Sequence, residues 1–314
     1  MVLRCRVRWL LCLVMLLLMA AASCARGDAP LRIRLSDLEV ETPQPSTNDP
    51  DSQVLRIAVA AVISPRETFD TYRDLLNYLG RKLDRPVELV QGKTYAEIND
   101  LVRSRDLTAA LVCTNPYLEG QEAFGMEALA IPVIRGKPVY YSYLIVRQDG
   151  DIQSLAEVRG KTFAFTDPLS NSGRLAPLYQ LALLGERPET FFRRYIFTYS
   201  HDNSIEAVAE GVVDGAAVDS LIYDYLQTTN PALVARTRII HRSPLMGAQP
   251  VGVPKNLDPE TKQALRELFL GLDLDPTGRG ILKKLGVDRF IPGDDSLYDS
   301  IRKMLQVVEG AKIR

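Results

Sequence analysis

The sequence predicts an α/β protein with two lobes and a ligand cleft between them. Apolar strand-like segments alternate with amphipathic helical segments from Val54 onward, which is typical of α/β architectures with parallel sheets. The alternation restarts after Gly150, and the segment "GAQPVGVP" (247–254) indicates a return of the chain to the first lobe. A length of 314 residues also favours about two domains. Ligands of such folds collect in interlobe clefts and at the carboxyl ends of strands.

The N-terminal segment predicts export. Three arginines precede an apolar run of 13 residues (10–22), which is too short to span a bilayer comfortably and fits a secretory signal. Small residues then lead to Cys24, as in a bacterial lipobox, although Ala21 stands where leucine is usual. We therefore expect a signal peptide over 1–23 and a lipid anchor at Cys24. A conventional cleaved signal is the alternative.

Residues 24–53 are polar and contain several prolines, which predicts a flexible tether. Loss of 1–23 removes three arginines from a formal net charge of −1 and leaves −4, so a nucleic-acid partner is not expected. Cys113 is then the single cysteine of the predicted body, which excludes an intramolecular disulfide there. We expect Cys113 to pack inside a strand.

The first lobe is predicted from residues 54–138 and 250–314. A capping box, Thr94 to Glu97, opens one of its helices, and Asn115-Pro116 predicts a turn. The remaining elements follow from apolar runs and helical spacing. They are strands "VLRIAVAAV", "PVELV", "TAALVC" and "EALAIPVI", and helices over 66–83, 94–103, 258–272 and 297–308.

The second lobe is predicted from residues 139–249. Gly211 suits the left-handed position that ends a helix, and Gly185 ends another. The predicted order is strand "YYSYLIVRQ", short helix "SLAEVRG", strand "KTFAFTD", helix 174–184, strand "RYIFTYS", helix 203–210, strand "VDGAAVD", helix "SLIYDYLQ" and strand "RTRIIHR".

The segment "DPLSNSGRLAP" (167–177) follows a predicted strand and opens a helix. Free N–H groups in the first helical turn and the helix dipole favour an anion there. Ser170, Asn171 and Ser172 add short polar side chains, and Gly173 leaves room for a ligand beside the backbone. A plain helix cap uses the same residue types. Both interpretations remain open at this point.

Two other polar residues lie at predicted strand ends. His201 could donate a hydrogen bond to an oxyanion, or could be a surface histidine near a helix start. Asp219 could accept a proton from a ligand oxygen, or could cap the following helix. A serine of 170–172 with His201 and Asp219 has the residue types of a hydrolase triad, but "LSNSG" lacks the glycine that a nucleophile elbow requires. With two histidines in the chain, no metal cluster is expected.

The segment "DPLSNSGRLAP" resembles the Asp-Pro-x-Ser-x-Ser-Gly-x-Leu-x-Pro signature of the phosphate, phosphite and phosphonate receptors of ABC importers. The segments "KTYAEINDLV", "YYSYLIV", "YSHDNSIEAVAEGVVDGAAVDS" and "GILKKLGVDRF" follow in that family's order. The resemblance covers about residues 54–308. It implies a type II periplasmic binding fold, whose lobes close by hinge motion.

The resemblance also implies a site. Ser170, Asn171, Ser172 and Gly173 would hold the anionic head, His201 would contact the ligand, Tyr95 and Tyr140 would be the two cleft tyrosines, and Asp219 would face the cleft. Two residues depart from the family pattern: Asn171 replaces a threonine, and Leu221 replaces a glutamate that binds an amine. An aminoalkylphosphonate ligand is therefore not expected.

The predicted function is capture of a small phosphorus oxyanion, namely phosphite, phosphate or an alkylphosphonate, for an ABC permease. We expect a monomer in the bacterial cell envelope, anchored to a membrane at Cys24, without a cofactor. A receptor that feeds a membrane sensor is the first alternative. An enzyme on the same fold is the second, which the absence of a convincing catalytic constellation disfavours.

Overall fold

The computed structural model describes residues 31–34, 54–60, 62 and 65–312. The predicted signal peptide and Cys24 lie outside the described residues. Most of the predicted tether also lies outside them, but Leu31–Arg34 forms a strand at a sheet edge. None of the helices in the described ranges is long and apolar enough to cross a bilayer.

The strands and helices follow the predicted alternation. The strands are β1 (Leu31–Arg34), β2 (Leu55–Val59), β3 (Val87–Gln91), β4 (Ala109–Leu111), β5 (Glu127–Val133), β6 (Val139–Tyr140), β7 (Ser142–Arg147), β8 (Thr162–Phe165), β9 (Arg194–Phe197), β10 (Gly215–Asp219), β11 (Thr237–Arg242), β12 (Met246–Gly247), β13 (Val251–Val253) and β14 (Arg289–Pro292). The α-helices are α1 (Pro65–Leu83), α2 (Tyr95–Arg103), α3 (Thr114–Phe124), α4 (Ala176–Leu183), α5 (Pro188–Phe191), α6 (His201–Ala209), α7 (Ser220–Thr229), α8 (Pro231–Val234), α9 (Pro259–Leu270), α10 (Pro276–Leu285) and α11 (Asp299–Lys312).

The strands form two main sheets. The first has seven strands in the order β1-β3-β2-β4-β13-β5-β14, and the second has five in the order β11-β7-β10-β8-β9. β13 lies between β4 and β5, so the predicted return of "GAQPVGVP" to the first lobe is confirmed. All strands of the second sheet lie within residues 139–249. The lobe boundaries themselves stay a prediction.

The sheets are mixed rather than parallel. Helical crossovers make β2, β3 and β4 parallel in the first sheet and β8, β9 and β10 parallel in the second. β13 and β7 run antiparallel to their neighbours. The chain reaches each of these two strands from the other main sheet, so no crossover helix within the same sheet fixes the direction of the strand. The prediction of parallel sheets therefore holds for the helix-linked strands only.

Each main sheet with the helices packed on it forms one half of the protein. A short two-stranded ladder, here called the hinge ladder, joins the two halves. β6 pairs with β12 in an antiparallel two-stranded sheet, in which Tyr140 faces Met246. Each main sheet packs its helices around a core of its own, and a third cluster holds residues from both halves, among them Ile131, Phe163 and Tyr298. The strand ends of the two halves are thereby held close together.

Several local predictions can be compared with these elements. Thr94 caps α2, since its hydroxyl accepts from the Glu97 N–H at 3.2 Å, and Gly211 adopts the predicted left-handed conformation with φ 72°. The turn predicted at Asn115-Pro116 is wrong, because these residues open α3. Pro116 falls in the first helical turn, where its missing N–H has no intrahelical partner in any case. α10 and β14 were not among the predicted elements.

Candidate functional site

Polar segments follow three parallel strands of the second sheet. β8 leads into the segment from Thr166 to Ser172, β9 leads to His201 at the start of α6, and β10 ends at Asp219. Because β8 is parallel to both β9 and β10, these segments meet at one edge of the sheet. In an open α/β sheet this is the edge where ligands bind.

Ser170 begins the helical segment after β8. Its hydroxyl accepts from the Gly173 N–H at 2.9 Å, so the expected helix cap is present. The helix starts earlier than predicted, with a π-helical turn over Asn171–Leu175 that continues into α4. A Cβ on Gly173 would lie 2.3 Å from Thr166 Oγ1. Thr166, rather than a ligand, therefore occupies the space that the missing side chain leaves.

Asn171 and Ser172 are completely buried. The Asn171 side-chain amide donates to the Tyr140 hydroxyl at 2.8 Å, which ties the segment to the hinge ladder. The Ser172 carbonyl accepts from the Ser142 hydroxyl at 2.6 Å. Asn171 Oδ1 and Ser172 Oγ have no hydrogen-bond partner among the described residues.

His201 is also completely buried, so its interpretation as a surface histidine is wrong. Its Nδ1 accepts the Asp219 backbone N–H at 3.1 Å and lies 3.1 Å from Thr166 Oγ1. An Nδ1 that accepts leaves the proton of the neutral ring on Nε2. Burial lowers the pKa of His201 to about 3, so the ring is neutral at physiological pH. Nε2–H is thus a neutral donor, and it has no partner in the described part of the chain.

Asp219 combines a structural and an electrostatic feature. Its Oδ1 accepts from the Leu221 N–H at 2.7 Å, which caps α7, and its Oδ2 accepts from the Gln249 side-chain amide. The predicted cap is therefore present, while the ligand role of Asp219 stays a prediction. Burial raises the pKa of Asp219 to about 7, so its carboxyl group can hold a proton near neutral pH.

Residues beside the first sheet cover these polar segments. The Tyr95 N–H donates to Asp167 Oδ2 at 3.1 Å, and the His201 N–H donates to the Val62 carbonyl at 3.0 Å. The Asn115 amide donates to the Leu169 carbonyl at 2.9 Å. Tyr95 is fully buried, and its hydroxyl lacks a partner within the described residues. Burial raises the pKa of Tyr95 well above its usual value, so the hydroxyl keeps its proton.

Four unpartnered atoms therefore come from two of the polar segments and from α2: Tyr95 Oη, Asn171 Oδ1, Ser172 Oγ and His201 Nε2. We call Tyr95, Asn171, Ser172 and His201 the polar cluster. A buried polar atom without a partner costs about 1–3 kcal/mol and is rare in native proteins, so these four atoms make the polar cluster a candidate ligand site. Among the described buried polar residues none is lysine or arginine, so the donors of the polar cluster are neutral.

The sequence did not single out several residues that shape the polar cluster. The Thr166 hydroxyl contacts the His201 ring, and the Gln249 amide donates to the Asp219 carboxylate. Asp167 accepts the Tyr95 backbone N–H. The Cys113 sulfur lies 3.5 Å from the Asn171 backbone nitrogen. Cys113 is buried and free, but it lies two residues after β4 as the N-cap residue of α3, so the prediction that it packs inside a strand is wrong. Throughout the described ranges, no group of three histidine, cysteine, aspartate or glutamate side chains could hold a metal ion.

Two mixed α/β halves, a hinge ladder and polar groups at facing strand ends define a type II periplasmic binding protein. Within that class, the model of one family matches residues 57–298: the periplasmic substrate-binding protein of phosphonate ABC transporters. The match covers well over half of the chain, and the chain belongs to this family. It is the periplasmic substrate-binding component of an ABC transporter, as the sequence resemblance implied, and its relatives are transporter components rather than enzymes.

Two relatives illustrate the family. The phosphonates-binding periplasmic protein of Escherichia coli K12 is 26% identical over 265 residues, which cover 83% of this chain and 78% of the relative. The phosphate-import protein PhnD of Mycolicibacterium smegmatis is 24% identical over 295 residues, which cover 87% of this chain and 92% of the relative.

Solved structures show the same fold. A binding protein component of an ABC phosphonate transporter from Pseudomonas aeruginosa has 25% identity and a TM-score of 0.79, with coverage of 83% of this chain and 88% of the other. PhnD1 from Prochlorococcus marinus, solved in complex with methylphosphonate, has 19% identity and a TM-score of 0.74, with coverage of 82% and 98%.

Proposed function

We propose that this protein captures a small phosphorus oxyanion, namely phosphite, hydrogen phosphate or an alkylphosphonate, and delivers it to an ABC permease. The observation that carries the proposal is the polar cluster, whose four buried atoms have no partner within the described chain. Three of the four groups can donate to an oxyanion: the hydroxyls of Tyr95 and Ser172 and the Nε2–H of His201. The names of the two relatives, one for phosphonates and one for phosphate, support the same class of ligand.

The polar cluster favours an oxyanion that carries a proton. Asn171 offers a ligand only its acceptor Oδ1, because its amide nitrogen already donates to the Tyr140 hydroxyl and the Met246 sulfur. Asp219 lies beside His201, to which it donates its backbone N–H, and a carboxylate there repels a fully deprotonated ligand. A hydroxyl on phosphorus would satisfy Asn171 Oδ1, which lacks a partner in the described chain, or add a bond to the Asp219 carboxylate beside those from Leu221 and Gln249. Leu221, which cannot pair with an ammonium group, argues against an aminoalkylphosphonate.

Isothermal titration calorimetry tests this proposal. Phosphite, phosphate and methylphosphonate should bind, while sulfate, a tetrahedral dianion without a proton, should bind at least tenfold more weakly. At pH 8, titrations in two buffers with different ionisation enthalpies should reveal proton uptake on binding. Asp219→Asn is the matched variant, in which the uptake should decrease. If none of the phosphorus oxyanions binds, the proposed function is wrong.

We propose further that a lipid at Cys24 anchors a monomeric protein to a membrane and that a signal peptide precedes it. The run of small residues before Cys24 supports this placement. In the native host, Cys24→Ala should move the protein from the membrane fraction to the soluble fraction. A Cys24→Ala variant that still sediments with membranes would rule out this anchor. Size-exclusion chromatography with light scattering checks the monomeric state.

A further inference from the structure

An apolar cavity lies beside Asp219, and the polar cluster does not account for it. Its volume is about 120 Å³. One side of the cavity is formed by the first sheet and the residue after β4, with Val59, Val112 and Val251, and the other side by Leu221 and Ile222 at the start of α7. The cavity is therefore located between the same two halves that enclose the polar cluster.

The cavity adjoins the polar cluster through Asp219. Leu221 and Gln249 both line the cavity, and both bind the Asp219 carboxylate, Leu221 through its N–H at 2.7 Å and Gln249 through its side-chain amide. Val62 lines the cavity as well, and its carbonyl accepts the His201 N–H at 3.0 Å. A substituent of an oxyanion held beside Asp219 and His201 would therefore face the cavity.

The chemistry of the lining selects an uncharged substituent. Most lining side chains are aliphatic, and none of the described residues that line the cavity carries a charge. The polar members are Thr71, Tyr72, Tyr225 and Gln249. Burial and the nearby carboxylate of Asp219 raise the pKa of Tyr72 to about 12, so this ring stays neutral at physiological pH. An ammonium group in the cavity would lose water without gaining an ionic partner there.

The volume sets the length of the substituent. An apolar cavity of about 150 Å³ holds one benzene molecule, or roughly 25 Å³ for each carbon. By that ratio a volume of about 120 Å³ holds four or five carbons. We propose that this cavity receives the apolar chain of an alkylphosphonate, so that the protein prefers phosphonates with chains of about three to five carbons to methylphosphonate and phosphite. The inference rests on the proposed binding of a phosphorus oxyanion at the polar cluster.

The expected gain follows from burial of the chain. A buried methylene contributes about 0.8 kcal/mol, which corresponds to a fourfold change in affinity. Three methylenes separate n-butylphosphonate from methylphosphonate, so the affinity should rise by up to about sixtyfold. The pair n-propylphosphonate and 2-aminoethylphosphonate has nearly the same shape but differs in charge, and the propyl compound should bind more tightly by at least about tenfold.

The experiment is a calorimetric series on the full chain with phosphate, phosphite and methyl-, ethyl-, n-propyl- and n-butylphosphonate. Ile222→Phe fills the cavity and should abolish the gain for n-butylphosphonate while the affinity for methylphosphonate stays within about threefold. Val287→Phe is a second filling variant, in case the first fails to fold. Leu183→Phe, at an exposed leucine outside the cavity, is the matched control and should keep the whole series.

A steady rise along the series that the filling variants remove supports the proposal. If methylphosphonate binds but the affinity is flat or falls with chain length, the cavity does not receive the chain, and the proposed function stands. A rise that survives both filling variants overturns the assignment to this cavity. If none of the compounds, phosphite included, binds, the proposed function itself is wrong and the cavity proposal falls with it.

Discussion

His201 offers a clean separation of ligand binding from folding. Its ring has two roles: Nδ1 accepts the Asp219 N–H, and Nε2–H is the unpartnered donor of the polar cluster. Asparagine can place its side-chain oxygen near the position of Nδ1, but it has no atom that reaches the position of Nε2. His201→Asn should therefore keep the bond to the Asp219 backbone and lose the bond to the ligand. His201→Ala loses both bonds.

The magnitude follows from the charge of the ligand. A hydrogen bond to a charged group contributes about 1.5–3 kcal/mol, which corresponds to a loss of affinity of about 10- to 150-fold in His201→Asn. Burial lowers the pKa of His201 to about 3, so the wild-type donor is neutral at pH 6 as well as at pH 8. The ratio of the wild-type affinity to the His201→Asn affinity should therefore be the same at pH 6 and at pH 8. An imidazolium would instead strengthen wild-type binding at the lower pH.

Calorimetry with phosphite or methylphosphonate measures this ratio, and differential scanning fluorimetry of the unliganded proteins measures folding. His201→Asn should unfold closer to the wild-type temperature than His201→Ala, which leaves the buried Asp219 N–H without its acceptor. Native affinity in His201→Asn would refute the role of Nε2. A ratio that grows tenfold between pH 8 and pH 6 would refute the neutral donor.

Two further predictions concern stability. Burial raises the pKa of Asp219 to about 7, so between about pH 4 and pH 7 the native state holds a proton that the unfolded state releases, and this group lowers stability as pH rises. Asp219→Asn should remove that contribution. Relative to the wild type, its free energy of unfolding should therefore be up to about 4 kcal/mol more favourable at pH 8 than at pH 4. Chemical denaturation of both proteins at both pH values measures this difference, and the same pH dependence in both would contradict it. Gly173→Ala should cost about 1–3 kcal/mol by overpacking, because its Cβ would lie 2.3 Å from Thr166 Oγ1. Gly280→Ala, in α10 with no neighbour within 4 Å of the added carbon, is the matched control, and equal melting temperatures of the two variants would refute the packing argument.

The fold was predictable because its signals are local. Apolar runs such as "TFAF" (β8) indicate strands, and their alternation with helices indicates the α/β class. The direction of β7 and β13 was not predictable in this way, because it depends on which half of the chain each strand enters. α3 was missed for a related reason: Asn115-Pro116 has turn composition, and its place in the first turn of a helix depends on β4 ending at Leu111.

The candidate site was predictable in its residues more than in its contacts. Ser172 and His201 follow strands in the sequence, and parallel pairing brings them to one edge. The partners within that edge depend on tertiary packing. The sequence gives no sign that Thr166 fills the space beside Gly173, or that Gln249 crosses to Asp219. Gln249 was nevertheless a polar residue in the returning segment "GAQPVGVP", a signal that could have placed it near the cleft.

We propose that the ligand drives closure of the two halves through the balance of hydrogen bonds. Contacts such as Tyr95 to Asp167 and His201 to Val62 contribute about 0.5–1.5 kcal/mol each when the halves meet. Closure also removes water from the polar cluster, and each atom left without a partner costs about 1–3 kcal/mol. Without a ligand the two effects oppose each other, so the closed arrangement has little advantage over an open one. An oxyanion that satisfies the polar cluster removes the cost and leaves the contacts, so the ligand itself supplies the free energy that favours closure.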